Sequence, residues 1–119
     1  MRPSPKTDRM EFLQGTLDML VLRTLALGPL HGYGIAQAIR QSSDTAFQVE
    51  AGSLYPSLQR LELQGLISAR WEISDRNRRA RTYTLTAKGR KRLTEEVARW
   101  EDFVRAVGLV LNPRPAEES

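Results

Sequence analysis

The sequence predicts a mainly α domain with a small β-hairpin. Apolar residues recur at steps of three and four in four segments of the 119-residue chain, which is the periodicity of amphipathic helices. Between the third and fourth segments, apolar and polar residues alternate in two short runs separated by a polar turn, as expected for a hairpin. Hydrophobic residues make up 40% and charged residues 27% of the chain, an ordinary globular balance that supports one domain, or one domain plus a long helix.

The composition excludes several kinds of site. There is no cysteine, so disulfides, thiolate metal sites and a cysteine nucleophile are excluded. His31 is the single histidine, so a site with two histidine ligands is excluded too. The sequence contains no nucleophile–base pair, paired-carboxylate site or phosphate loop. We expect a protein that is not an enzyme and that needs no metal and no cofactor.

No apolar run is long enough to span a membrane, and residues 1–6 lead into no apolar segment of a signal peptide. A cytoplasmic protein without a membrane partner is therefore expected. Polar, proline-containing stretches at 1–10 and 112–119 predict disordered tails.

The first predicted helix covers about residues 12–27. Its apolar stripe consists of Leu13, Leu17, Leu20, Val21 and Leu25. Gly15 weakens the first turn, so Thr16 is an alternative N-cap. Gly28 and Pro29 end the helix, because proline cannot continue it. A short second helix is predicted over about 33–41, with Ile35, Ala36 and Ile39 on its buried side.

The third predicted helix begins near Ser53 as N-cap and ends at Gly65, with Pro56 in its first turn, where a missing N–H costs nothing. Its core-facing stripe consists of Leu54, Leu58 and Leu61. The polar side chains outside this stripe are expected to form an exposed row: Ser53, Tyr55, Ser57, Gln59 and Arg60.

The predicted hairpin has strands at 67–74 and 81–86, joined by a polar tip at 75–80. Trp71 is expected to pack the hairpin onto the body, and Tyr83 to lie in the hairpin core. Four arginines give the hairpin a positive charge: Arg76, Arg78, Arg79 and Arg81.

The last predicted helix covers 87–111, with Thr86 as N-cap. Its apolar residues follow a heptad pattern: Leu93, Val97, Trp100, Val104, Val107 and Leu111. A helix of this length, about 35 Å at ~1.5 Å per residue, exceeds the small body that precedes it. A second subunit is the simplest cover for the heptad surface. The alternative is packing on the first helix of the same chain, and both can hold on different faces.

Positive charge is concentrated between residues 70 and 92, where nine basic residues face two acidic ones, a local charge of +7. Since the whole chain carries +4, the remainder carries −3. Such asymmetry favours a surface for a phosphate backbone, although a basic loop that serves only solubility is the plainer interpretation.

Three helices followed by a hairpin predict a winged helix-turn-helix at 11–86, followed by a long C-terminal dimerisation helix at 87–111. In this geometry the third helix enters the DNA major groove, and the hairpin, here called the wing (residues 70–85), lies on the backbone or in the minor groove. The candidate DNA-binding residues are Ser53, Tyr55, Ser57, Gln59, Arg60, Arg76, Arg78, Arg79 and Arg81.

Five segments in this order resemble the PadR family of bacterial and archaeal transcriptional regulators. They are GTLDMLVL (15–22), PLHGYGI (29–35), GSLYPSLQRL (52–61), GLI (65–67) and RTYTLTAKG (81–89). The resemblance covers roughly residues 12–110. Within the family, the chain is similar to the subgroup with a short C-terminus, which has one dimerisation helix. It implies a homodimeric repressor that binds an inverted-repeat operator, with 53–64 as recognition helix and Tyr55 in the DNA-contacting segment.

Some short members of this family receive planar drugs in an apolar pocket at the dimer interface. Trp100 occupies a comparable position, so the resemblance implies a candidate effector pocket there and a small-molecule effector as a partner. The alternative function is a winged-helix protein–protein interaction module without DNA binding. The +7 segment argues against it, because docking faces for proteins are usually depleted in charge.

Overall fold

The computed structural model describes residues 15–73 and 75–115. It contains four helices and a three-stranded antiparallel sheet, which confirms the mainly α winged fold with a long C-terminal helix. In chain order the elements are α1 (Thr16–Leu25), β1 (Leu30–His31), α2 (Gly32–Ser42), α3 (Ala51–Leu63), β2 (Ile67–Ile73), β3 (Arg79–Leu85) and α4 (Ala87–Leu111).

Helix α1 is shorter than its apolar pattern predicts. Gly15 occupies the N-cap position with a φ of 86°, a left-handed conformation that suits glycine, and the helix begins at Thr16. Leu13 and the predicted tail at 1–10 lie outside the described residues, as do 116–119. Residues 112–115 follow α4 without helical structure.

The sheet has three strands, one more than the two-stranded hairpin that the sequence predicts. Strand order is β1-β3-β2, with Leu30 opposite Tyr83 and His31 opposite Thr82. The His31 ring extends this pairing, since its Nδ1 lies 3.1 Å from the Arg81 carbonyl oxygen. A strand of two residues has no periodicity of its own, so only the pairing with β3 reveals it.

Helix α3 begins earlier than predicted, at Ala51 rather than near Ser53. The backbone N–H groups of Ser53 and Leu54 both donate to the carbonyl of Glu50 at 2.9 Å, so the first turn is already formed before Ser53. Pro56 consequently lies inside the helix and not in its first turn, and one backbone hydrogen bond of α3 is missing there.

The core lies where α1, α2 and α3 meet the sheet. Leu54, Leu58 and Leu61 of α3 are each at most 2% exposed, as their spacing predicts. Tyr83 is 5% exposed, which confirms its place in the hairpin core. Val21, Leu22, Ile35, Leu66 and Ile67 complete the deepest layer.

The start of α4 is fixed against the turn between α3 and β2. Thr86 caps the helix as predicted, accepting a hydrogen bond from the Gly89 N–H at 3.0 Å, while its hydroxyl donates to the Gly65 carbonyl at 2.7 Å. Lys88 Nζ donates to the Gln64 carbonyl at 2.9 Å. The first turn of α4 therefore has one defined position on the body.

The two halves of α4 have different surroundings. Leu93 is 8% exposed and belongs to the core, and Val97 packs partly against it, because the N-terminal half lies beside α1. The expectation that Leu93 faces a second subunit is therefore wrong: the intrachain alternative holds for this end of the heptad surface. Beyond Val97 the apolar side chains of α4 are exposed.

Candidate nucleic-acid interface

The front of α3 carries exposed polar side chains over an apolar back. Ser53, Gln59 and Arg60 are exposed, and Tyr55 is 49% exposed. Short hydroxyl and amide groups with an aromatic hydroxyl suit hydrogen bonds to base edges and phosphate oxygens. Four of the five predicted side chains of this row are therefore accessible.

Ser57 is the exception in this row. It is fully buried, and its hydroxyl donates a hydrogen bond to the carboxylate of Asp18 on α1. A side chain in that position cannot reach DNA, so Ser57 is removed from the candidate interface. Ser53 lies one turn earlier on the same side of α3 and remains exposed, whereas Ser57 lies against Asp18 of α1.

Asp18 also holds Arg60. Arg60 Nη2 lies 2.8 Å from Asp18 Oδ1, and Nε lies 3.4 Å from Oδ2. The hydrogen bond and the charge of Asp18 raise the pKa of the Arg60 guanidinium. The Arg60 side chain remains 54% exposed, so it lies at the edge of the candidate interface with its charge largely matched. Sequence reasoning missed Asp18, because an acidic residue in a first helical turn carries no signal of its partner.

Tyr55 lies over the start of α2. A Cβ added at Gly32 would lie 2.8 Å from the Tyr55 hydroxyl oxygen and 3.2 Å from two ring carbons. The absence of a side chain at Gly32 therefore lets the Tyr55 ring approach the backbone of α2 closely. The ring is held on one side and remains half exposed on the other.

The wing places its arginines in two different environments. Arg76, Arg78 and Arg79 are exposed, with Arg79 on β3 rather than in the tip. Arg81 instead donates to Glu62 of α3 at 3.1 Å and lies 5.9 Å from the ring centroid of Tyr83. Arg81 therefore ties the wing to the end of α3. Burial raises the pKa of the neighbouring Tyr83 hydroxyl, which stays neutral.

Trp71 does not pack the wing onto the body as predicted. Its side chain is 55% exposed, with the guanidinium of Arg79 4.7 Å from the ring centroid. The alternation along β2 correctly places Trp71 on the face that begins in the core. The strand continues beyond the core before it reaches Trp71, which the sequence alone does not show.

An exposed apolar surface runs along the C-terminal half of α4. Trp100 and Val107 are 38% and 37% exposed, and Val104 and Leu111 are 47% and 71% exposed. Phe103, which the heptad pattern missed, is 53% exposed with its ring centroid 6.0 Å from that of Trp100. Apolar patches of this kind on soluble proteins mark interaction sites.

In the described part of the chain, no three His, Cys, Asp or Glu side chains are grouped so that they would hold a metal ion. Within the same residues, none of the helices combines the length and the apolar character needed to cross a bilayer.

Asp18→Ala is expected to lower the free energy of unfolding by about 1–3 kcal/mol, because the buried Ser57 hydroxyl loses its acceptor. Arg60→Ala should cost less, at most about 1 kcal/mol, because that ion pair is largely exposed to solvent. Urea unfolding followed by circular dichroism measures both. In the Ser57→Ala background, Asp18→Ala should cost less than in the wild-type protein. An equal cost in both backgrounds would show that the Ser57–Asp18 bond contributes nothing.

Comparison with known proteins places this architecture in a family. The model of the Transcriptional regulator PadR-like family matches residues 21–95. The chain is 33% identical over 97 residues to the transcriptional regulator Rv3488 of Mycobacterium tuberculosis, covering 82% of this chain and 87% of that protein.

Two solved structures have the same fold. A PadR family transcriptional regulator from Eggerthella lenta is 34% identical, with a TM-score of 0.73 and coverage of 85% of this chain and 86% of that one. A transcriptional regulator from Clostridium thermocellum is 26% identical, with a TM-score of 0.74 and coverage of 80% and 92%. The chain therefore belongs to the PadR-like family of transcriptional regulators and is a DNA-binding regulator.

Proposed function

We propose that the protein is a homodimeric repressor that binds an inverted-repeat operator. The observation that carries the proposal is the exposed apolar surface on the C-terminal half of α4. A helix of 25 residues extends past the body, and among residues 15–73 and 75–115 this surface has no intrachain partner. A second copy of the same surface, related by two-fold symmetry, would cover it.

The proposed interface uses the exposed part of the heptad surface. Trp100, Val104, Val107 and Leu111 lie on one side of α4, together with Phe103. Val97 lies at the border between the intrachain contact and this surface.

Two α3 helices of such a dimer would enter successive major grooves about 34 Å apart. Ser53, Tyr55 and Gln59 are the proposed contacts of α3 with bases and backbone. Arg76, Arg78 and Arg79 are the proposed phosphate contacts of the wing. Arg60 and Arg81 act mainly by holding α3 and the wing in place, through Asp18 and Glu62.

By occupying the operator, the bound dimer would block transcription of the adjacent gene. An effector that stacks on Trp100 would change the angle between the subunits and spoil the spacing of the two α3 helices. The Trp100 and Phe103 rings are the candidate stacking surface for a planar small molecule. A repressor of this type acts in the cytoplasm.

The experiment that tests the proposal is sequencing of genomic DNA fragments bound by the purified protein. We expect an enriched palindromic motif upstream of a gene, lost in Tyr55→Ala and weakened in Arg78→Ala/Arg79→Ala. The charge-matched control is Arg99→Ala/Arg105→Ala, which removes two exposed cations from α4, each paired within its own helix. No enrichment by a folded, dimeric protein would favour the protein-docking alternative or a requirement for a co-ligand.

Operator affinity is expected to fall steeply with salt. For ~6–10 phosphate contacts per dimer, the affinity should drop by about 10³–10⁵ between 50 and 200 mM salt. Fluorescence anisotropy of a labelled duplex measures this dependence. The wing double variant should have a shallower salt slope than the wild-type protein, and an unchanged slope would contradict the phosphate role of these arginines.

A further inference from the structure

One face of the sheet continues from the core into the wing. The register pairs Ile67 with Leu85 at the core end, and further along pairs Trp71 with Arg81 and Ile73 with Arg79. Side chains two residues apart on a strand share a face, so all these pairs lie on the same side of the sheet. The first pair is buried, whereas Trp71 and Ile73 are 55% and 69% exposed. Beyond the core, this face therefore presents an indole beside two guanidinium groups.

Trp71 is the point at which the two arginines meet. The Arg79 guanidinium lies 4.7 Å from the Trp71 ring centroid and that of Arg81 lies 5.5 Å away. Arg81 is already held by Glu62, so its position is fixed from α3. Among the described residues, no carboxylate pairs with Arg79, and the Trp71 ring is the group that holds it. Arg79 therefore keeps its charge uncompensated on an exposed strand.

A guanidinium over an aromatic ring uses its flat face for the contact and keeps its N–H edges available. Those edges are the donors that bind a phosphate through two hydrogen bonds. The stacked position also removes part of the side-chain freedom that a loose arginine would lose on binding. The contact with Trp71 therefore orients the Arg79 guanidinium for a phosphate before DNA binds.

We propose that Trp71 is a positioning residue for DNA binding, which holds the Arg79 guanidinium in place for one phosphate of the duplex backbone. The proposal rests on the DNA contact of the wing in the proposed function. Arg79 carries the electrostatic contact, Trp71 sets its geometry, and the Arg81–Glu62 pair fixes the strand against α3. Removal of Trp71 therefore weakens binding only through Arg79.

A double-mutant cycle with Trp71→Leu and Arg79→Ala tests this role. The probes are a labelled duplex with the enriched motif and a labelled random-sequence duplex, both followed by anisotropy over a salt series. Arg79→Ala should weaken binding about tenfold and reduce the salt slope by about one phosphate contact per wing. Trp71→Leu should weaken binding about threefold while it keeps the wild-type salt slope. Trp71→Leu in the Arg79→Ala background should have no further effect.

Trp71→Phe is the matched conservative variant, since it keeps an aromatic face, and it should restore most of the affinity that Trp71→Leu loses. Thermal unfolding of each variant separates a wing that is misfolded from one that is folded but misaligned. If Trp71→Leu weakens duplex binding by the same factor in the wild-type and Arg79→Ala backgrounds, the positioning role is overturned, because Trp71 then acts independently of Arg79. Wild-type protein that binds neither duplex would overturn the proposed function as well.

Discussion

Gly89→Ala is expected to destabilise the fold by more than about 3 kcal/mol, a larger loss than typical single substitutions cause. A Cβ at this position would lie 2.0 Å from the carbonyl oxygen of Leu66 and 2.7 Å from Leu85 Cδ1. The Leu66 carbonyl cannot move away easily, because it accepts the Thr86 N–H at 3.1 Å. The first turn of α4 would have to leave its position on the body. Urea unfolding followed by circular dichroism measures the loss.

Gly52→Ala provides the matched control for this prediction. Gly52 also lies in a helix, α3, but a Cβ there meets nothing within 4 Å. Alanine should leave the stability unchanged or raise it by up to about 1 kcal/mol, because it restricts the unfolded chain. Similar effects of the two substitutions would show that the close approach of α4 to Leu66 is not what makes glycine necessary at position 89.

Trp100→Glu/Val104→Glu is expected to give a folded monomer with at least about 10²-fold weaker operator binding. Two carboxylates on the exposed apolar surface of α4 would be desolvated and would face their symmetry mates in a dimer. The monomer should keep its fold, because both side chains lie outside the intrachain core. The affinity for the operator falls because its two half-sites are then no longer bound by a single dimer. Sedimentation velocity and duplex anisotropy measure the two effects.

The control for this variant introduces the same charges elsewhere on the same helix. Ala98 and Leu109 lie on the opposite side of α4 at 3.6 residues per turn, and both are exposed. Ala98→Glu/Leu109→Glu should remain dimeric with near wild-type affinity. If Trp100→Glu/Val104→Glu also stays dimeric with unchanged affinity, the apolar surface of α4 is not the subunit interface.

The helical periodicity predicted α4 most closely, because both of its ends have local signals. Thr86 is a strong N-cap and the apolar spacing continues to Leu111, so the predicted range of 87–111 equals the observed one. The start of α3 was misplaced, because Glu50 occupies the cap position with no side-chain capping bond and leaves no local signal. The repressor function was predicted from the family resemblance, whereas periodicity and charge by themselves favoured only DNA binding.

The order of residues along the chain is enough to predict which sides of the helices are apolar, where the chain turns and where positive charge is concentrated. These features depend on the spacing of neighbouring residues, which a linear pattern contains. Which polar side chains remain available for DNA depends instead on how the helices and the sheet pack together. Ser57 and Arg60 are held by Asp18, 39 and 42 residues earlier in the chain, and Arg81 is held by Glu62 on another element. Such partners are set by which elements pack together, and a local periodicity specifies a buried side without specifying what covers it.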